Sequence, residues 1–203
     1  WGYGSKPGIR RKASGGRTTT ITAVTAAQPN HKSIPAVISP NVNIYTIIVT
    51  YNGMRWVDAC FGSLRGSTVP LHTVVVDNGS TDGTPQRIAE RFPEVHLIRS
   101  DENLGFGRGN NAGIRYALGQ GATHFFLLNQ DAWIYPDTVE RLLGAEDDRS
   151  GILSPVHLDG SAERMDEAFK RYLFGDAAAT RDDGLLLGGL TSPREARFIN
   201  AAA

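Results

Sequence analysis

Four short apolar runs, each followed by a segment of helical spacing, constrain this chain most. Ile44-Tyr45-Thr46-Ile47-Ile48-Val49 is a continuous, β-branched run, as expected for a strand buried on both faces. Leu71-His72-Thr73-Val74-Val75-Val76 is a second such run, and 95–99 and 124–128 are shorter ones. Between them lie candidate helices. Residues 54–65 space Trp56, Val57, Cys60, Phe61 and Leu64 at helical intervals. Thr84-Pro85 reads as N-cap and first residue of a helix to about Phe92. Residues 107–118 put Ile114, Ala117 and Leu118 on one side, and Tyr135-Pro136-Asp137 opens a helix to about Leu143. Strand–helix alternation of this kind, four times in about 100 residues, predicts an α/β fold. Its sheet is mostly parallel and Rossmann-like, with helices on both faces. Ligands of such sheets bind beyond the carboxyl ends of the strands, where the strand order switches.

Composition narrows the classes. The 203 residues are 40% hydrophobic, enough for the core of one domain and too apolar for a wholly disordered chain. A single cysteine, Cys60, excludes a disulfide framework and a cysteine-based zinc cluster. The formal net charge is zero, which argues against a nucleic-acid binder. That zero hides an asymmetry. Residues 1–43 hold six Lys+Arg and no Asp or Glu, leaving 15 basic against 21 acidic residues in 44–203. Residues 1–43 are rich in Gly, Ser, Thr and Pro and read as a disordered basic leader. Thr18-Thr19-Thr20-Ile21-Thr22 could pass for a strand but has no evident partner. The leader lacks the apolar core of a signal peptide, and no run reaches the roughly 18 apolar residues of a membrane helix. Attraction to an anionic membrane surface is the one role of the arm worth testing. The chain begins at Trp1 and stops at Ala201-Ala202-Ala203 with no closing Gly, Pro or charge. A fragment of a longer reading frame is therefore expected, with residues 44–203 as its folded part.

The strand ends carry the chemistry. Thr50, Tyr51 and Asn52 follow the first strand, and Asp77, Asn78, Ser80 and Asp82 the second. Asp101, Asn103 and Gly105-Phe106-Gly107-Arg108-Gly109-Asn110-Asn111 follow the third, and Asn129, Gln130 and Asp131 the fourth. Ordinary turn composition accounts for any one of these loops. Four polar loops leaving one edge make a convergent site. Asp77 is placed to accept a hydrogen bond from a nucleobase N–H or a ribose hydroxyl. Gly105, Gly107 and Gly109 let backbone approach a ligand and open a helix whose N-terminus favours phosphate. They do not make a dinucleotide fingerprint, because its third glycine would fall on Asn110. Arg108 can neutralise a diphosphate. Asp131 is a hard oxygen ligand suited to Mg²⁺ or Mn²⁺. The five histidines are scattered and suggest no metal cluster.

Four segments, in order, resemble family 2 glycosyltransferases. They are Ile47-Ile48-Val49-Thr50-Tyr51-Asn52, then Val74-Val75-Val76-Asp77-Asn78-Gly79-Ser80-Thr81-Asp82-Gly83-Thr84. The third runs from Asn103 to Ile114, and the last is Leu127-Leu128-Asn129-Gln130-Asp131. The similarity is greatest to the bacterial rhamnosyltransferase-like branch and covers about residues 44–203. It implies the GT-A nucleotide-sugar fold, here with an incomplete acceptor half. It also implies a UDP- or dTDP-sugar donor, a glycan or lipid-linked acceptor, and transfer with inversion in cell-surface polysaccharide synthesis. The setting it implies is the cytoplasm, at the inner face of the membrane. Residue by residue, it gives Thr50, Tyr51 and Asn52 the first nucleotide-contacting loop and Asp77 the base contact, with Asn78 and Asp82 in the same loop. Asn103 and Asn111 flank the glycine-rich turn. Asn129-Gln130-Asp131 takes the place of the family's D-x-D metal motif, so Asp131 is the one firm metal ligand. The acceptor base is expected beyond Ala203. Asp159, Glu163, Asp166 and Glu167 fit a solvated helix face better than that role. Two alternatives stand beside this reading. One is a nucleotide-sugar-binding module without turnover. The other is a nucleotidyltransferase, disfavoured because Tyr51-Asn52-Gly53-Met54-Arg55 stands where that class needs a basic, Gly-rich loop.

Overall fold

The computed structural model describes residues 20–24, 41–148, 150–161 and 163–175. Strands β1 (Thr20–Val24), β2 (Ile44–Thr50), β3 (His72–Asp77), β4 (His96–Arg99), β5 (His124–Leu127) and β6 (Ser150–Pro155) occur in chain order. Helices α1 (Val57–Arg65), α2 (Thr84–Arg91), α3 (Gly105–Gly119), α4 (Thr138–Gly144) and α5 (Glu167–Phe174) follow β2 to β6 in turn. A short 3-10 turn, Met54–Trp56, leads into α1.

The main sheet has the order β4-β3-β2-β5, and every pairing in it is parallel. Because β2 is central and all seven of its residues are buried, its continuous apolar run is what the position requires. Alternate side chains serve opposite faces. Ile48 and Val75 pack with Val57, Phe61 and Ile88 of α1 and α2, while Ile47 and Val74 pack with Ala117 of α3. Helices therefore cover both faces. Each fully buried aliphatic side chain here contributes about 1.5–3 kcal/mol.

Chain order places the switch. The path runs outward from β2 to β3 and β4, then returns to add β5 on the other side of β2. The crevice beyond the ends of β2 and β5 is the ligand position for such a sheet.

Several expectations need correction. Thr20–Val24 is a strand, paired in parallel with Ser150–Pro155, so the leader is not disordered at these residues. Its partner lies about 130 residues away, a separation that local pattern does not register. Residues 1–19, 25–40 and 176–203 lie outside the described residues. The sheet's packing begins before Ile44, since Val42 lies against Ile44, Val69 and Val139. The α2 N-cap is Gly83 rather than Thr84, with φ at 88°. Glycine takes that left-handed geometry without strain, and the Thr84 hydroxyl is freed for the adjoining loop.

Candidate nucleotide-binding edge

The loops after β2 and β3 form one hydrogen-bonded unit. At the end of β3, Asp77 is 1% exposed. One carboxylate oxygen accepts from the Thr50 hydroxyl at 3.1 Å and the other from the Ser80 N–H at 3.1 Å. Asn52, with φ at 48°, donates its N–H to Ser80 Oγ and accepts from the Thr81 N–H through Oδ1, both at 2.9 Å. Asn tolerates this left-handed geometry better than most side chains. The Gly53 N–H donates to Thr84 Oγ1 at 2.9 Å, and the Met54 N–H to Asp82 Oδ2 at 3.0 Å. Asp82 Oδ1 accepts from the Thr84 N–H and hydroxyl. Desolvation pushes the Asp82 carboxyl up, but these bonds from Thr84 and Met54 outweigh it and hold it below the usual carboxylate range.

Asp77 is enclosed at this edge. Each of its oxygens accepts a hydrogen bond and almost no surface is left, so in this form it braces the loop. Thr50, at 1% exposure, is its partner in that task. Tyr51 and Asn52 are the exposed residues of the first loop.

The third loop joins through Asn78, which is 3% exposed and donates Nδ2 to the Gly105 carbonyl at 3.5 Å. Asn78 Oδ1 is buried without a partner. Gly105 opens α3 at φ 74°, its N–H held by Asn103 Oδ1 at 2.8 Å. The three glycines turn out to do different things. Gly105 and Gly107 have open space where a Cβ would stand, on the exposed first turn. Gly109 is buried, and a Cβ there would meet both Val49 methyls at 2.9 Å. Gly113, one turn on, would meet Ile47 Cγ2 at 2.6 Å. Gly109 thus lets α3 lie close to β2, which corrects its placement at the ligand. Arg108 is exposed and folds back, Nε donating to the Leu104 carbonyl at 2.8 Å. Asn111 is exposed on α3, and no side-chain bond ties it to the loops among the described residues. Asn110, which pattern did not single out, is buried and donates to the Phe106 carbonyl.

The fourth loop carries Asn129, half-buried, and Asp131, exposed and without a hydrogen-bond partner among the described residues. Cys60 lies beneath it, donating to the Asn129 carbonyl at 3.8 Å. Burial, reinforced by the Asp131 charge, pushes the Cys60 thiol up to about 12. Gln130, named in the fourth loop but given no role of its own by motif, binds Tyr51. Its Oε1 accepts from the Tyr51 N–H at 3.0 Å, and its Nε2 donates to the Tyr51 carbonyl at 3.3 Å. All four loops thus reach one edge, and Asp131 stands at the switch point unengaged among the described residues.

The histidines do other work. His72 stacks on Tyr45, His96 on Tyr116 and His157 on Phe169, while His124 pairs with Glu146. No three His, Cys, Asp or Glu side chains come together as a metal cluster among the described residues. Of the downstream acids, Asp166 caps α5 through the Phe169 N–H at 2.8 Å, and Asp159 closes a turn onto Ser161.

Known proteins align with this part of the chain. The family model described as Glycosyl transferase family 2 matches residues 45–171. The dTDP-rhamnosyl transferase RfbF of Shigella flexneri is 33% identical over 121 residues, which are 59% of this chain and 40% of that protein. The N-acetylglucosaminyl-diphospho-decaprenol L-rhamnosyltransferase of Mycobacterium tuberculosis is 33% identical over 125 residues, 56% of this chain and 40% of that one. The chain thus spans about two-fifths of the length of these curated relatives. A crystal structure of S. aureus TarS aligns with a TM-score of 0.45 and 23% identity over 51% of this chain and 32% of that one.

Proposed function

The chain belongs to glycosyl transferase family 2, and from that premise we propose that residues 44–203 form the donor-binding part of an inverting sugar transferase. The reaction moves a hexosyl or rhamnosyl group from a nucleotide-diphosphate sugar to an acceptor hydroxyl in cell-surface polysaccharide synthesis. The observation that carries this reading is the exposed, unengaged Asp131 at the switch point, beside a loop after β3 whose carboxylates, Asp77 and Asp82, already hold hydrogen bonds.

Tyr51 and Asn52 would receive the nucleoside on a loop held by Thr50, Asp77 and Asp82. Gly105, Asn103 and Arg108 at the start of α3 would face the diphosphate, helped by the helix dipole. Asn78 would hold that turn, and Asn111 would stand behind it. Asp131 suits Mg²⁺ or Mn²⁺, with Asn129 beside it at the donor. One free carboxylate without a side-chain cage fits an ion whose remaining ligands are phosphate oxygens and water. Such an ion, when bound, stabilises the charge of the leaving diphosphate. The protein's own task is to hold donor and acceptor in line.

A lipid-linked acceptor is supported by the decaprenol in the printed name of the M. tuberculosis relative. Among the described residues no helix is long and apolar enough to cross a membrane. Work in the cytoplasm, at the inner face of the membrane, fits donor and acceptor together. The second reading, a binding module without turnover, draws on Asp159 and Asp166 being committed to a turn and a cap. A turnover assay on a longer chain separates the two.

Calorimetry with UDP or dTDP tests the proposal. Saturable binding that requires Mn²⁺ is expected. Absence of binding by both nucleotides, with Asp131→Ala changing nothing, would sink it.

A further inference from the structure

We propose that Gln130 is the positioning residue that sets the span between the nucleoside loop and the ion loop. This rests on the donor-binding reading above.

β2 and β5 are parallel neighbours, and their ladder ends where the Leu128 N–H donates to the Ile47 carbonyl. Beyond that point the strands no longer hold each other. Among the described residues, the bonds joining 51–53 to 129–131 are the two from Gln130 to Tyr51. Its carboxamide imitates a peptide group, accepting from one N–H and donating to the carbonyl of the same residue. A ladder that has stopped is thereby continued by one more rung.

Gly53 gives the carboxamide its room. The backbone there has φ −101° and ψ 14°, which any residue adopts. Yet a Cβ at 53 would stand 2.3 Å from Gln130 Oε1. The glycine is required by the bridge, not by its own conformation.

The consequence is selective. A nucleoside diphosphate with its ion must reach Tyr51 and Asn52 at one end and Asp131 at the other. A ligand that touches one end does not sense the span. Gln130 fixes the distance between these contacts and makes neither of them to the ligand itself, so its loss should separate the two ligands.

The test uses the full chain, UDP or dTDP with Mn²⁺, and the matching nucleoside monophosphate without metal. Gln130→Ala and the length-conserving Gln130→Met should each weaken diphosphate binding about tenfold, the scale of lost preorganisation across two contacts. Monophosphate binding should stay within about twofold, and melting temperature should change little, because Gln130 is only half-buried. Gly53→Ala should produce the same diphosphate loss by displacing the carboxamide. Combined with Gln130→Ala it should add nothing further. Unchanged diphosphate affinity in both Gln130 variants would overturn the inference alone, as would a parallel fall for the monophosphate or additivity in the double variant. No diphosphate binding by the unsubstituted chain would overturn the donor-binding reading and this inference together.

Discussion

Ile47, Ile48, Val74 and Val75 on β2 and β3 are fully buried between helices on both sides. The segment from Ser150 to Phe174 closes instead around Val156, Met165 and Phe169, and Ile152 on β6 remains 53% exposed. The loops differ in the same sense. Those at the ends of β2, β3 and β5 are cross-linked by side-chain bonds between residues 27 to 79 positions apart. The turns around Asp159 and Asp166 close locally, two or three residues away. Long-range bracing suits a surface that must be ready before its ligand arrives. The distal segment is tied mainly to itself and to β1.

The largest test of this contrast is at Asp131. Removing the outer partner of a metal ligand typically lowers affinity 10- to 100-fold, so losing the ligand Asp131 itself should cost about 100-fold or more in Mn²⁺-dependent diphosphate binding. Because Asp131 is exposed and unpaired, the melting temperature of Asp131→Ala should stay within about 2 °C of the parent. A comparable loss on substituting Asp159 would break the distinction between the two regions.

Next in size is packing. Gly113→Ala pushes a Cβ into Ile47, at the centre of the sheet, and Gly109→Ala into Val49. Overpacking of this kind costs about 1–3 kcal/mol, read from urea midpoints. Gly107→Ala meets nothing within 4 Å and should gain up to about 1 kcal/mol from helix propensity. In the distal region, Asp166→Ala removes the cap of α5 and should cost about 0.5–2 kcal/mol, leaving diphosphate affinity unchanged.

These residues also show what the sequence could reveal. β2 was legible because burial on both faces demands an unbroken apolar run, and Ile44–Thr50 has one. The four loops were legible because parallel strands send their ends to one edge. β6 was not, since Gly151 and Pro155 interrupt its apolar pattern and its partner is β1. Glycine spacing alone does not say whether Gly109 faces a ligand or a strand, because that depends on helix rotation. Nor does motif position show that Asp77 is enclosed. Gln130 was hidden for a further reason: its bonds run to backbone 79 residues away, and backbone has no sequence signal.

The smallest expected effect is on pH dependence, and it separates the regions by where each titrates. Desolvation against Phe169 lowers the His157 pKa below 6.5, opposed by the charge of Asp166. The unfolded chain then binds a proton more readily than the folded one just below pH 6.5. Stability contributed by the neutral ring is present above that pH and is lost as pH falls through the folded value. Asp82 follows the same sign in a lower window. Its pKa lies below 3.8, so its contribution persists until pH falls under that figure and is then lost. His157 keeps one side open to solvent and Asp82 is exposed, which keeps both effects small. Hydrogen exchange at pH 7, 5.5 and 3.5 reads them apart. Amides of α5 should lose protection first, between pH 7 and 5.5, and those at 52–54 and 81–84 only towards pH 3.5. His157→Gln should remove the first change and leave the second. Simultaneous loss at both places would mean that the donor edge and the distal segment unfold as one unit, and that the difference in bracing does not divide them energetically.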